Sequence, residues 1–160
     1  MADTKPADLR AKRHKLLADF TDEVKVGFIE DTYEVRGHKW LIRTPTEDET
    51  CWADRYIQSS SPIAFVSSRR APKLAVGIKA LDGVPTSELF QYPTDMEDSV
   101  RTALDQDKAQ KQYWLYSQML TYLVESVPTP VVEELYAKYE ELVKRQYKAL
   151  EEAARPGPNS

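Results

Sequence analysis

VRGHKWLIRTPTEDETCWADRY, residues 35–56, runs from a glycine turn through alternating residues into a helix start. It also gathers His38, Cys51, two tryptophans and the acids Glu47, Asp48, Glu49 and Asp54. The stretch is either a reactive centre or a junction between a strand and a helix. Arg36-Gly37 stands where a tight turn between two strands needs a residue tolerant of positive φ. On both sides of it, VKVGFIEDTYEVRGHKWLIRT (24–44) nearly alternates apolar and polar residues and is rich in β-branched and aromatic types. A β-hairpin is expected, with a third strand over residues 24–29. Side chains alternate across a strand, so Trp40 and Ile42 share a face with His38, and Lys39, Leu41 and Arg43 share the other.

The helix start is written twice. Thr44-Pro45-Thr46-Glu47 offers a cap followed by a proline at the first helical position. Thr46-Glu47-Asp48-Glu49 offers a capping box two residues later. The three acids lie at the positive end of the helix dipole, where each is mildly stabilising. Cys51, Trp52, Ala53, Tyr56 and Ile57 are the expected packing side, with Cys51 as a small core residue, and Ser59-Ser60-Ser61 ends the run.

Toward the N-terminus, Leu9, Leu16, Leu17 and Phe20 stand at helical spacing within residues 7–20, with Lys12, Arg13 and Lys15 making one face basic. This reads as a short amphipathic arm that packs on its own domain or docks onto a neighbour. Toward the C-terminus, Ser61-Pro62 opens a helix to about Arg69. Leu74, Ala75, Ile78 and Leu81 recur at helical spacing from Pro72 to Leu81, and Asp82-Gly83-Val84-Pro85 forms a turn. A helical turn is expected over 86–91. Thr94-Asp95-Met96-Glu97 caps a long helix to about Glu125 whose middle, DQDKAQKQ (105–112), is wholly polar. Thr129-Pro130 opens a last helix to about Ala154. There Val132, Leu135, Tyr139, Leu142, Gln146 and Ala149 form a heptad-like seam that pairs internally with residues 113–124 or faces a partner. RPGPNS is a frayed tail.

Together these predict an α+β fold, predominantly helical: a small antiparallel β-hairpin or three-stranded sheet near the N-terminus, then a helical C-terminal half. The expected organisation is an amphipathic arm over 1–22, an α+β unit over 23–93, a helical hairpin over 94–154 and a disordered tail over 155–160. The length of 160 residues suits one domain, and 41 % hydrophobic with 30 % charged residues suits a globular protein in solution. No apolar run reaches the length of a membrane helix, and MADTKPADLR lacks the apolar segment of a signal peptide, so use on the cytoplasmic side is expected. The charge of −4, from 26 acids against 22 bases, offers no broad attraction for phosphate backbones. The basic clusters RAKRHK (10–15) and SSRRAPK (67–73) read as solvated faces or subunit contacts, and nucleic acid is not an expected partner.

The chemistry-bearing residues are sparse. His14 and His38 have no ligand-type residue at i+3 or i+4, and Cys51 has no second cysteine, so no metal and no cofactor is expected. A cysteine-dependent enzyme would need His14 or His38 to meet Cys51 in space as its base. No phosphate-cradling glycine motif and no G-x-S-x-G occurs. Glu133-Glu134, Glu140-Glu141 and Glu151-Glu152 fall on a helix beside lysines and arginines, several at i, i+4, as Glu134 with Lys138, Glu140 with Lys144 and Glu141 with Arg145, and read as a solvated face. Tyr113, Trp114, Tyr116 and Tyr122 could stack bases, but few basic residues interleave, and a helix or subunit interface is the better use. The candidate partner surface is therefore Trp114 and Tyr116 with Val132, Leu135, Tyr139 and Leu142 of the seam.

The order of elements, together with Trp40-Leu41-Ile42-Arg43, Thr46 to Glu49 and Leu74 to Gly83, resembles a group of small tailed-phage proteins. That group includes baseplate hub components of contractile tails and tail assembly chaperones, and the resemblance spans about residues 33–150. It implies a non-enzymatic structural or assembly protein of a bacteriophage tail, assembled in the host cytoplasm and carried in the virion at the baseplate or its hub. Other tail proteins, and further copies of the chain, are the implied partners. The alternatives are a tail assembly chaperone absent from the mature virion and, from another class, a small enzyme using Cys51 and His38. Pro72 and the polar stretch 105–112 have no counterpart in the resemblance.

Overall fold

The computed structural model describes residues 6–25, 28–57 and 68–154. Helix α1 (Pro6–Lys25) comes first, then strands β1 (Glu30–Val35) and β2 (His38–Arg43), and helices α2 (Glu47–Arg55) and α3 (Arg70–Gly77). Strands β3 (Ile78–Leu81) and β4 (Val84–Pro85) follow, and then helices α4 (Thr86–Leu89), α5 (Asp98–Gln106), α6 (Lys108–Glu125) and α7 (Thr129–Ala154). The fold is α+β and mostly helical, as the sequence predicts, with a four-stranded antiparallel sheet in the order β1-β2-β3-β4. The helix expected from Ser61, the serines 59–61 expected to end the helix before it, and the tail lie largely or wholly outside the described residues.

The first hairpin forms as expected. Arg36 and Gly37 take φ of 53° and 80°, both in the left-handed region that a type I′ turn requires. Trp40 and Ile42 are buried while His38, at the strand's end, stays exposed. The third strand is not over residues 24–29, because α1 continues through Lys25. It is β3, from a segment whose spacing reads as helix. Asp82 and Gly83 repeat the first turn, with φ of 50° and 80°, so this Asp-Gly makes a second hairpin instead of ending a helix. A short apolar run satisfies both periods, and the open edge of β2 decided in favour of strand.

Pairing of β2 with β3 is regular from Trp40 opposite Leu81 to Leu41 opposite Ala80, then slips so that Ile42 faces Ile78. Lys79 is thereby left as the extra residue of a β-bulge, a device that re-aims a side chain.

Residues 94–125 do not form one helix. Asp107, with φ −115° and ψ 98°, ends α5 and caps α6, its carboxylate accepting from the backbone N–H groups of Ala109 and Gln110 at 3.1 Å. The break falls in the polar stretch 105–112. Nor do the C-terminal helices form a hairpin of their own: α6 and α7 both pack on α3, which runs between them with Leu74, Ala75 and Val76 buried. Gly77 permits this. A Cβ there would lie 3.1 Å from the Tyr139 ring, so a side chain would push α7 outward. Helix α7 also covers the sheet, and the core gathers Val35, Trp40, Ile42, Ile78, Met119, Leu123, Leu135 and Leu142.

Candidate functional site

Helix α2 begins at the second of the two possible starts. Thr46 is the N-cap: its hydroxyl accepts from the Glu49 N–H at 3.1 Å, and Glu49 returns a carboxylate oxygen to the Thr46 N–H at 3.1 Å. Thr44 is used differently. It is fully buried and holds the chain before β1, donating its N–H to the Ile29 carbonyl at 2.9 Å and accepting the Ile29 N–H on its hydroxyl at 3.1 Å.

With its start fixed at Thr46, α2 turns Glu49, Trp52 and Ala53 inward at i, i+3 and i+4. Cys51 therefore falls on the opposite side and is exposed, 3.8 Å from a Glu47 carboxylate oxygen, which corrects its expected place in the core. His38 lies elsewhere, its Nδ1 2.6 Å from a carboxylate oxygen of Asp82 across the two hairpins. The structure does not bring Cys51 and His38 together as nucleophile and base. We expect Cys51 to react fully with a thiol reagent in the folded protein, without the lag that a buried thiol shows; protection until unfolding would contradict this packing.

The inward residue of greatest consequence is Glu49, whose side chain is 3 % exposed. One of its oxygens accepts from Arg43 Nη2 at 2.9 Å and from the Thr46 N–H at 3.1 Å. The other accepts from Lys79 Nζ at 2.5 Å and from the Tyr116 hydroxyl at 2.8 Å. Strand β2, the bulge of β3, the start of α2 and the middle of α6 thus meet on one carboxylate. All four of its acceptor positions are filled. Burial by itself pushes the Glu49 carboxyl up, but the charge and hydrogen bond of Lys79, with Thr46 and Tyr116, outweigh burial and hold it below the usual range. Burial and the adjacent carboxylate push the Tyr116 hydroxyl up, and burial draws Lys79 down against the pull of Glu49. A saturated carboxylate kept ionised has no lone pair left for a substrate proton, so the cluster organises the fold more readily than it transfers protons.

The cluster sets the acid response of the protein. A carboxyl that titrates lower in the folded than in the unfolded chain stabilises the fold above its unfolded pKa, near 4.5, and that contribution is lost as pH falls through the lowered folded value. Asp31, bonded by Arg145, and Asp82, bonded by the Lys39 N–H and by His38, are lowered too and add the same sign. Stability measured by chemical denaturation is therefore expected to fall as pH drops into that window, and Glu49→Gln should flatten the dependence. An equal slope in both proteins would remove Glu49 as its cause.

The residues expected at a partner surface are spent largely inside the chain. Tyr116, Leu135, Tyr139 and Leu142 are buried in the core, while Val132 and Trp114 are half-buried, Trp114 edge-on to Tyr92 with centroids 4.9 Å apart. Tyr113 donates to Asp48 at 2.8 Å. The seam of α7 is thus internal from Leu135 to Leu142, where it pairs with α3 and the sheet rather than with residues 113–124, while Gln146 is half-buried and Ala149 exposed. Among the described residues the charges of α7 pair across elements: Arg145 with Asp31 at 3.0 Å, Glu133 with Arg70 at 3.2 Å and Glu134 with Arg36 at 3.7 Å. Such exposed pairs orient more than they stabilise.

Arg43, Glu49 and Lys79 as a unit went unread in the sequence. The one available signal was Lys79 inside the apolar run GIKAL, since a lysine there needs a partner. Among the described residues no group of three or more His, Cys, Asp or Glu converges as a metal site would need, and no helix is long and apolar enough to cross a membrane.

The elements define a mostly helical α+β protein tied together by one saturated ionic cluster. No family model matches the chain, and neither a curated protein nor a solved structure matches it at a significant level.

Proposed function

We propose that this chain is a structural or assembly protein of a bacteriophage tail, a component of the baseplate or its hub, that works through protein–protein contacts and not by catalysis. The observation that carries the contact half of this reading is α1. All of its described side chains, residues 6–18, are exposed, including Leu9 at 51 %, Leu16 at 69 % and Leu17 at 66 %. Helices in water draw most of their stability from packing an apolar face, and this one leaves its leucines outside the core. The saturation of Glu49 favours the same reading, because the most buried charged cluster described has its hydrogen bonds committed to the fold. The assignment to a phage tail rests on the strand-to-helix phrase Trp40–Arg43 with Thr46–Glu49, and on Leu74–Gly83.

Two measurements test it: mass spectrometry of purified particles of the phage that encodes the chain, and affinity capture of the tagged chain from infected cells. Presence in particles at fixed stoichiometry to tail proteins is the expected result. Capture of a tail protein by a chain absent from particles would replace the virion component by the assembly chaperone. A chain found with no tail protein in either experiment would overturn the reading.

A further inference from the structure

The groove between α2 and the C-terminal half of α7 encloses about 440 Å³, and its floor is apolar and aromatic: Ala53, Val76, Tyr136, Tyr139 and Val143. Tyr147 stands over it, 71 % exposed. Of the charged residues at its border, Glu47, Asp54 and Glu140 outnumber Lys73 and Lys144. Glu140 is taken by Arg69 at 3.9 Å, whereas the Asp54 carboxylate has no ion-pair partner among the described residues.

Helix α1 presents the complementary pattern. Leu9, Arg13, Leu16 and Leu17 stand at i, i+4, i+7 and i+8, which places Arg13 in the middle of the leucines rather than on a basic face with Lys12 and Lys15. Arg13 has no ion-pair partner among the described residues, and Arg10, Lys12 and Lys15 flank it. A cation within an apolar stripe calls for an apolar receiving surface with an unpaired acid at its border, and the α2–α7 groove has that arrangement. The dimensions agree: the rise from Leu9 to Leu16 is about 11 Å and the length of α2 about 13 Å.

We infer that α1 of one copy docks into the α2–α7 groove of a second copy, its leucines against Tyr139, Val143 and Tyr147 and its Arg13 against Asp54. This rests on the reading of α1 as a contact element and names what it contacts. The contact is heterologous, helix of one copy to groove of the next, so it propagates into a closed ring or a chain of copies unless two arms exchange reciprocally. Asp54 and Arg13 both face solvent in the single chain, so exchanging their charges leaves the core intact.

Light scattering after size exclusion, and sedimentation velocity over a range of concentrations, test this on the full chain. The expected result is a mass above the monomer that rises with concentration. Leu16→Glu, Arg13→Asp and Asp54→Arg should each weaken association about tenfold or more, with unfolding midpoints unchanged at concentrations where every protein is monomeric. The double variant Arg13→Asp/Asp54→Arg should associate again, and its recovery is what a nonspecific apolar contact would not show. A monomer at every concentration overturns the inference, as does an oligomer that the groove variants leave unmoved. A monomer whose α1 amides gain concentration-independent protection in hydrogen exchange overturns it in favour of docking within one chain. A monomeric chain found in phage particles removes this inference alone, while an oligomer that neither enters particles nor captures tail proteins removes the tail assignment alone.

Discussion

Replacing Glu49 with alanine is expected to remove about 3–5 kcal/mol of folding stability, the cost of leaving buried partner charges without their counter-ion. Lys79 and Arg43 would then face each other across the start of α2 with no carboxylate between them, and the Tyr116 hydroxyl would lose its acceptor. The capping box would lose its reciprocal bond to the Thr46 N–H as well. Against a total stability of about 5–15 kcal/mol for a domain, this is a loss that urea denaturation reads directly as a lower midpoint. Removing both ions should cost less than the sum of the single changes, since Glu49→Gln with Lys79→Met leaves no unmatched charge from that pair. A Glu49→Ala protein within about 1 kcal/mol of the wild type would mean that the cluster is hydrated and that its hydrogen bonds carry little net energy.

Leu142→Ala should cost about 2–5 kcal/mol, the range for opening a cavity at a core leucine. Leu142 has no exposed surface, and it lies in the part of α7 that covers α3 and the sheet. The size of the effect discriminates two uses of the α7 seam. A seam reserved for a partner would leave the isolated chain's denaturation midpoint unmoved by Leu142→Ala and would weaken only association. A seam built into the chain's own core shifts the midpoint at every protein concentration. Tyr147→Ala, one and a half turns further along the same helix, is the natural contrast, because its ring is mostly outside the core.

The strand-to-helix junction was legible because its information is local. Arg36-Gly37 needs only its own φ values to turn the chain, and Trp40 and Ile42 need only the alternation of a strand to face inward. The capping box at Thr46 and Glu49 closes within four residues. The polar run at 105–112 was visible too, though its outcome, a cap at Asp107 and a break, was not.

The charged cluster was not legible, and the reason is separation. Arg43 and Glu49 are close in the chain, but Lys79 reaches Glu49 across 30 positions and Tyr116 across 67, and no local pattern records such a meeting. The slip in register at Ile42 that frees Lys79 from the strand's alternation exists only once β2 and β3 are paired.

By itself, then, the sequence determined the Arg36-Gly37 turn, the capping box at Thr46 and the predominance of helix, because each of these is settled by neighbours along the chain, whereas the cap expected at Thr94 did not form and that helix begins at Asp98 with no side-chain cap bond. Tertiary structure decided that residues 78–81 join the sheet, that α3 separates α6 from α7, and that Cys51 faces water while Glu49 faces inward. Those outcomes follow from which open edge, which close approach at Gly77 and which unpaired charge each segment found in the folded chain, and these are properties of the assembled core rather than of any window of sequence.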